Sequence, residues 1–171
     1  DMEFFELPPG EGNGSSVHVE RVNMHDWAEL MGWFLSEGSC TYNEATSSYQ
    51  VKLFQSYTVN RENCDRIEAL LNRLPWAWCV TERDNGRLAY TIGVKQLAKY
   101  MSQFGRCDEK YIPEYFFDLS PSIRTTLLEA LLAGDGRLCA THKGKRQSSQ
   151  YYTTTSKRLS HDVERLVISL G

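Results

Sequence analysis

Apolar positions along this chain follow two rhythms, a helical one and an alternating one. The run Leu30-Met-Gly-Trp-Phe-Leu-Ser-Glu-Gly38 predicts a helix that starts near Asn23, a suitable cap, with Asp26 in its first turn, and that ends at Gly38. Ile67, Leu70, Leu71 and Leu74 keep helical spacing after a cap at Asn60, and Pro75 stops that second helix. A third helix is expected from Val94 to Phe104, closing at Gly105. A fourth runs from Pro121 to Gly134, and a fifth from Leu159 to Leu170. Between them, Tyr49–Gln55 alternates, Gln50 and Lys52 on one side and Val51 and Leu53 on the other. Trp76–Thr81 and Gly86–Ile92 suit two more strands around an Asp84-Asn-Gly86 hairpin turn, with Trp76 and Trp78 on one strand face. Arg137–Thr141 and Tyr151–Thr155 form a further pair around His142-Lys-Gly-Lys-Arg146.

The resulting order is helix, two strands, helix, two strands, helix, and it begins again after Pro121 with a helix, two strands and a helix. Antiparallel strands with helices on one face make an α+β class and leave the other sheet face free. Three segments follow from the pattern. Residues 1–23 form an extended leader with a Leu7-Pro-Pro-Gly10 break, a Gly/Ser loop and a strand at Val17–Val22, and show no visible chemistry. Residues 24–118 form a first unit, and residues 119–171 a second, incomplete by comparison with the first.

Leu128-Glu-Ala-Leu-Leu-Ala-Gly-Asp-Gly136 repeats the pattern of the first helix. Small residues stand at the third and seventh places of each segment, Gly32 and Ser36 in one, Ala130 and Gly134 in the other. Residues four apart share a helix face, so these faces let two helices approach closely. The final glycines, Gly38 and Gly136, suit the left-handed conformation that commonly ends a helix. That leaves Glu37 and Asp135 at helix C-termini, where the macrodipole disfavours an anion by about 0.3–1 kcal/mol. Two acids in matched unfavourable settings point to a cation between them.

Composition narrows the class without naming a function. With 171 residues, 41% of them hydrophobic, the chain can bury a sizeable core. No apolar run reaches the roughly 20 residues needed to span a bilayer, and Asp1-Met-Glu-Phe-Phe-Glu6 is not a signal peptide, so an intracellular, non-secreted protein is expected. Five cysteines with no Cys-x-x-Cys pair argue against a zinc site or a disulfide framework. A net charge of -3 gives no global sign of nucleic-acid binding, so that reading rests on local patches. One such patch holds Arg137, Lys143, Lys145, Arg146, Lys157 and Arg158 with no acid from Arg137 to His161. A cationic hairpin tip with hydroxyl-rich arms fits a DNA groove, while an ordinary solvated hairpin is the plainer account of the basic turn alone.

The paired segments ending at Gly38 and Gly136 resemble the signature helices of the LAGLIDADG homing endonucleases, above all those embedded in inteins. Lys110-Tyr-Ile-Pro113 is similar to the family's Lys-x-Ile-Pro stretch, and Tyr152 to Gly171 resembles the strand and helix that follow the second motif. The likeness extends over nearly the whole chain from Met24. It implies pseudo-symmetric αββαββα repeats packed through the signature helices, and hydrolysis of double-stranded DNA with Mg²⁺ or another divalent cation. Glu37 and Asp135 would hold the metal, helped by backbone carbonyls near Ser36 and Gly134, because Mg²⁺ prefers oxygen ligands. Lys110 would stabilise phosphate charge or polarise the attacking water, and Gln55 would stand near the water network. Gln50, Lys52, Arg83, Arg87, Arg137, Lys143, Lys145, Arg146 and Lys157 are the expected DNA contacts. Expected partners are the DNA duplex and a complementary fragment or host intein domain, the chain being otherwise a monomer. Glu37 stands where the family more often has aspartate; it still supplies an oxygen ligand on a longer arm.

Two other classes stand beside this reading. One is a nucleic-acid-binding module that no longer cleaves, a remnant or maturase-like helper on the same scaffold. The other is a hydrolase using Glu37 and Asp135 as acid and base on sugars, for which no flanking aromatic platform is recognisable.

Overall fold

A computed structural model describes residues 3–8, 21–139 and 149–171. Strand β1 (Phe4–Glu6) pairs antiparallel with β2 (Arg21–Asn23), which leads directly into helix α1 (Met24–Glu37). Then come β3 (Gly38–Asn43), β4 (Ser48–Ser56), α2 (Arg61–Arg73), β5 (Trp78–Arg83), β6 (Arg87–Ile92) and α3 (Lys95–Ser102). A short 3₁₀ turn (Glu114–Asp118) precedes α4 (Pro121–Asp135), β7 (Gly136–Cys139), β8 (Ser149–Tyr152) and α5 (Lys157–Ile168). All pairings are antiparallel, with a four-stranded sheet in the order β3-β4-β6-β5 and a two-stranded ribbon β7-β8. The α+β expectation holds.

Local chemistry explains most boundaries. Asn23 caps α1, its side chain accepting from the His25 amide at 2.9 Å. Asn85 and Gly86 both take positive φ, 64° and 70°, in the three-residue loop closed by the Arg83–Arg87 pair, where Asn and Gly tolerate the left-handed region. Asn60 occupies the cap position of α2 but makes no capping bond. Trp76 lies before β5 rather than on it, and is buried, so it shares no strand face with Trp78. Pro75 ends α2 and the chain turns a corner there before extending.

The expected left-handed helix ends are not found. Gly38 has φ -99° and Gly136 φ -78°, both extended, because each helix runs straight into a strand. Glycine is needed there for space. A Cβ on Gly38 would lie 2.6 Å from the Phe34 carbonyl oxygen, and one on Gly136 would collide with the Leu132 carbonyl oxygen. These are close-approach glycines at a helix-to-strand corner.

The leader belongs to the core. Phe5 stacks on Trp27 with ring centroids 4.0 Å apart, Leu7 is fully buried, and the Met24 amide donates to the Glu3 carbonyl at 3.0 Å. Residues 17–20 of the strand expected at Val17–Val22 lie outside the described residues, as do those from 140 to 148, with the His142–Arg146 hairpin tip. One hydrophobic cluster joins Leu7 and Val22 to α1, β4, α2, β6, α3, α4 and α5. Among the described residues no helix is long and apolar enough to cross a membrane.

Candidate active site

The site is set by how closely α1 and α4 meet. A Cβ placed on Gly32 would stand 2.5 Å from the Ala130 Cβ and 2.8 Å from the Leu127 carbonyl oxygen. One turn further, a Cβ on Gly134 would run into the Ser36 side chain and reach 3.3 Å from the Glu37 Cγ. The four small residues read from sequence therefore form the contact, and each side chain larger than they are would push the helices apart. Ser36 spends its hydroxyl within its own helix, donating to the Gly32 carbonyl at 2.8 Å.

That packing brings the two acids into one electrostatic neighbourhood. Burial pushes the Asp135 carboxyl up to about 6, Glu37 adds to the rise, and Lys110 opposes it. Glu37 is raised too, by burial, against Arg87 and then Lys110. Half-buried acids at the negative ends of two helices make an anionic pocket that a cation relieves. The donor set is all oxygen, two carboxylates with helix-end carbonyls beside them, which suits a hard divalent ion. Among the described residues no cluster of three or more His, Cys, Asp or Glu adds to it.

Lys110 is not a surface lysine. It is 3% exposed, and its Nζ donates to the Phe34 carbonyl at 2.6 Å and the Gly38 carbonyl at 2.7 Å, above the Phe34 ring. Burial pulls its ammonium down to about 8, with Asp135, Cys107 and Glu37 pulling the other way. Its backbone is clamped in turn. Ser156, the cap of α5, donates from Oγ to the Lys110 carbonyl at 2.7 Å, and the Ile112 amide donates to Asp162 at 2.9 Å. Lysine thus covers the carbonyl end of α1 beside Glu37, with one ammonium proton left over.

Gln55 is 4% exposed on the core side of β4, in the alternation read from sequence. Its Oε1 accepts from the Ser56 amide and from Asn60 Nδ2, which explains why Asn60 does not cap; its Nε2 has no partner among the described residues. Gln55, Glu37, Arg87, Asn60 and Asp84 line an open cleft of about 530 Å³. Two residues escaped the sequence reading. Asn63 Nδ2 donates to the Ala133 carbonyl at 2.8 Å, serving the end of α4 as Lys110 serves α1; two asparagines one helical turn apart were the only signal. Tyr152 has a buried hydroxyl with no partner among the described residues, and burial, Asp135 and Glu37 all hold it protonated.

Strand register fixes what the open sheet face carries. Lys52 pairs with Ser39 and Thr91, Gln50 with Thr41, Thr91 with Cys79, and Arg83 with Arg87. Paired residues share a face, so Gln50, Lys52, Arg83 and Arg87 lie together with hydroxyl and amide side chains and no acid. Arg87 also stacks over the Phe54 ring at 4.8 Å. Lys157 is exposed at the first turn of α5 and does not line the cleft. Arg137 is placed on β7 by its backbone, and Lys143, Lys145 and Arg146 lie outside the described residues.

No protein-family model and no curated protein sequence matches the chain. Solved structures do, at low identity. The homing endonuclease I-WcaI bound to its DNA recognition sequence matches with a TM-score of 0.51 and 15% identity, over 86% of this chain and 66% of that one. A variant of I-DmoI in complex with its target DNA in the presence of Mg gives 0.46 and 13%, over 67% and 63%. I-DmoI in complex with DNA and Mn gives 0.46 and 12% over the same shares. The chain thus spans just under two thirds of the length of each. The likeness is one of fold, the α+β arrangement of the LAGLIDADG homing endonucleases.

Proposed function

We propose that this chain is a site-specific, metal-dependent DNA endonuclease of the homing type, built from a leader (1–23), a first repeat (24–118) and a second (119–171). The observation that carries this reading is the packing of Gly32 on Ala130 and Gly134 on Ser36. It gathers Glu37 and Asp135, and Glu37 lines a cleft that also holds Phe54, Ser56 and Arg87 of the acid-free sheet face. The resemblance of the paired signature helices favours the endonuclease domain, or a fragment, of an intein. The fold shared with DNA-bound I-WcaI agrees with the reading.

Each residue then has a task. Glu37 and Asp135, with carbonyls near Ser36 and Gly134, hold a divalent cation, Mg²⁺ by preference. When bound, such an ion neutralises charge on the phosphate and lowers the proton affinity of a water. Lys110 fixes the carbonyl end of α1 and keeps one proton to donate toward phosphate oxygen. Gln55 lines the cleft, and its buried Nε2, without a partner among the described residues, would donate to a single water enclosed there. Gln50, Lys52, Arg83 and Arg87 meet the duplex, the arginines at phosphates and the others at base edges.

The test is cleavage of a randomised duplex library by the purified chain with Mg²⁺, reading the cut ends by sequencing. One long recurrent site is expected, with Asp135→Asn losing cleavage while keeping salt-dependent binding. Binding without any cutting by the wild type would overturn the nuclease and leave a non-cleaving nucleic-acid module. One observation favours that second reading: Lys110 already spends two of its protons on helix carbonyls.

A further inference from the structure

The two units differ at one matched position next to the acids. Gly38, directly after Glu37, pairs with Leu53, and Gly136, directly after Asp135, pairs with Tyr152. Leu53 is buried and does nothing but pack. Tyr152 packs its ring against the same core but carries a hydroxyl that is buried and bonds to nothing among the described residues. An unmade bond on a buried hydroxyl is costly, and the first unit shows that an apolar side chain fills this place. The hydroxyl is therefore unexplained by packing.

Its surroundings point to a use. Thr153, the next residue, donates its amide to the Asp135 carbonyl at 3.4 Å, so Tyr152 stands beside the segment that carries the acid. The hydroxyl is shielded from solvent, so it acts through a neighbour rather than on DNA directly. Metal-ligating carboxylates characteristically take a further hydrogen bond that fixes their orientation, and Asp135 has none from a side chain among the bonds of the described residues. A phenol is a suitable donor for that purpose because it carries no charge to desolvate.

We propose that Tyr152 is a positioning residue of the carboxylate pair, its buried hydroxyl held as a donor to Asp135 when the pair holds a divalent cation. This rests on the metal-dependent reading above. The measurement is Mn²⁺ binding to the full chain by electron paramagnetic resonance, in wild type and Tyr152→Phe, alongside the Mg²⁺ dependence of cleavage. Phenylalanine keeps the ring and removes only the hydroxyl. Mn²⁺ affinity is expected to fall about 10- to 100-fold, and the half-saturating Mg²⁺ to rise by a similar factor. Metal-free Tyr152→Phe should melt at a higher temperature than wild type, since the unmade bond is gone, so weaker binding cannot be put down to misfolding. Equal Mn²⁺ affinity in the two proteins would overturn the proposal and leave the metal reading standing. A wild type that binds no Mn²⁺ would overturn both.

Discussion

Helices α1 and α4 meet through matched small residues and end in matched acids, yet the two ends are served by different chemistry. Lys110, a buried cation, covers the carbonyls at the end of α1, and the four-stranded sheet brings Arg87 into the cleft shared with Glu37. The end of α4 receives a neutral amide from Asn63 and faces the ribbon with Tyr152. Burial raises both acids, and Lys110 opposes the rise at each, but Glu37 has Arg87 against its rise as well, whereas Glu37 itself pushes Asp135 further up, to about 6. The repeated motif fixes where the acids are. The unrepeated surroundings fix what acts on each carboxyl besides burial, a guanidinium beside Glu37 and a second carboxylate beside Asp135.

The sharpest way to break the comparison is to spoil the packing that both halves share. Gly134→Val puts branched carbons where the Ser36 side chain already stands, and both residues sit on helix backbone that cannot give way. A loss of about 3 kcal/mol is expected in urea unfolding, at the upper end of overpacking penalties. Next, Lys110→Met separates the two helix ends. It removes bonds to two carbonyls and also removes a charge that burial disfavours, so stability should move little. Cleavage should fall about 100-fold in single-turnover assays, with DNA affinity changed far less. Asn63→Asp makes the corresponding change at α4. Aspartate suits the first turn of α2 but cannot donate to the Ala133 carbonyl, so a roughly 10-fold loss of cleavage is expected with the fold intact. If Asn63→Asp costs as much as Lys110→Met, the two ends are not chemically distinct in the way argued.

Much of this arrangement could be read from the chain because small residues at helical spacing have few uses. Gly32, Ser36, Ala130 and Gly134 announced a close helix pair, and the alternation in Tyr49–Gln55 announced which side of β4 faces the core. Other features were invisible for physical reasons. A glycine after a helix is needed either for positive φ or for space, and sequence does not separate the two; at Gly38 and Gly136 it is space. Phe5 and Leu7 looked like part of a featureless leader because their partners, Trp27 and the core, are distant in sequence. Lys110 was flagged only by its neighbours, and its backbone carbonyl is held by Ser156, which precedes an entirely separate helix. Asn63 reaches across units, and Tyr152 meets the end of α4 only through the register of β7 with β8; such pairings leave no mark on local periodicity.

The smallest effect concerns the proton at Asp135. Folding raises the affinity of this acid for its proton, from 3.8 to about 6, so the group stabilises the fold fully below 3.8 and loses that contribution as pH rises through about 6. Asparagine in its place stays neutral throughout. In metal-free buffer at pH 7.5, Asp135→Asn should therefore be more stable than wild type by about 1 kcal/mol, well under the full conversion of the shift because the side chain is half-exposed and screened. Thermal melts from pH 7.5 down to 4 should show the gap closing through the interval near 6. Glu37→Gln should show a smaller gain, since Arg87, which does not act on Asp135, already offsets part of the burial at that end. Equal gains from the two substitutions would mean that Arg87 distinguishes the acids less than its placement implies. Adding Mg²⁺ should shrink the advantage of Asp135→Asn, because a bound cation stabilises only the carboxylate that wild type retains.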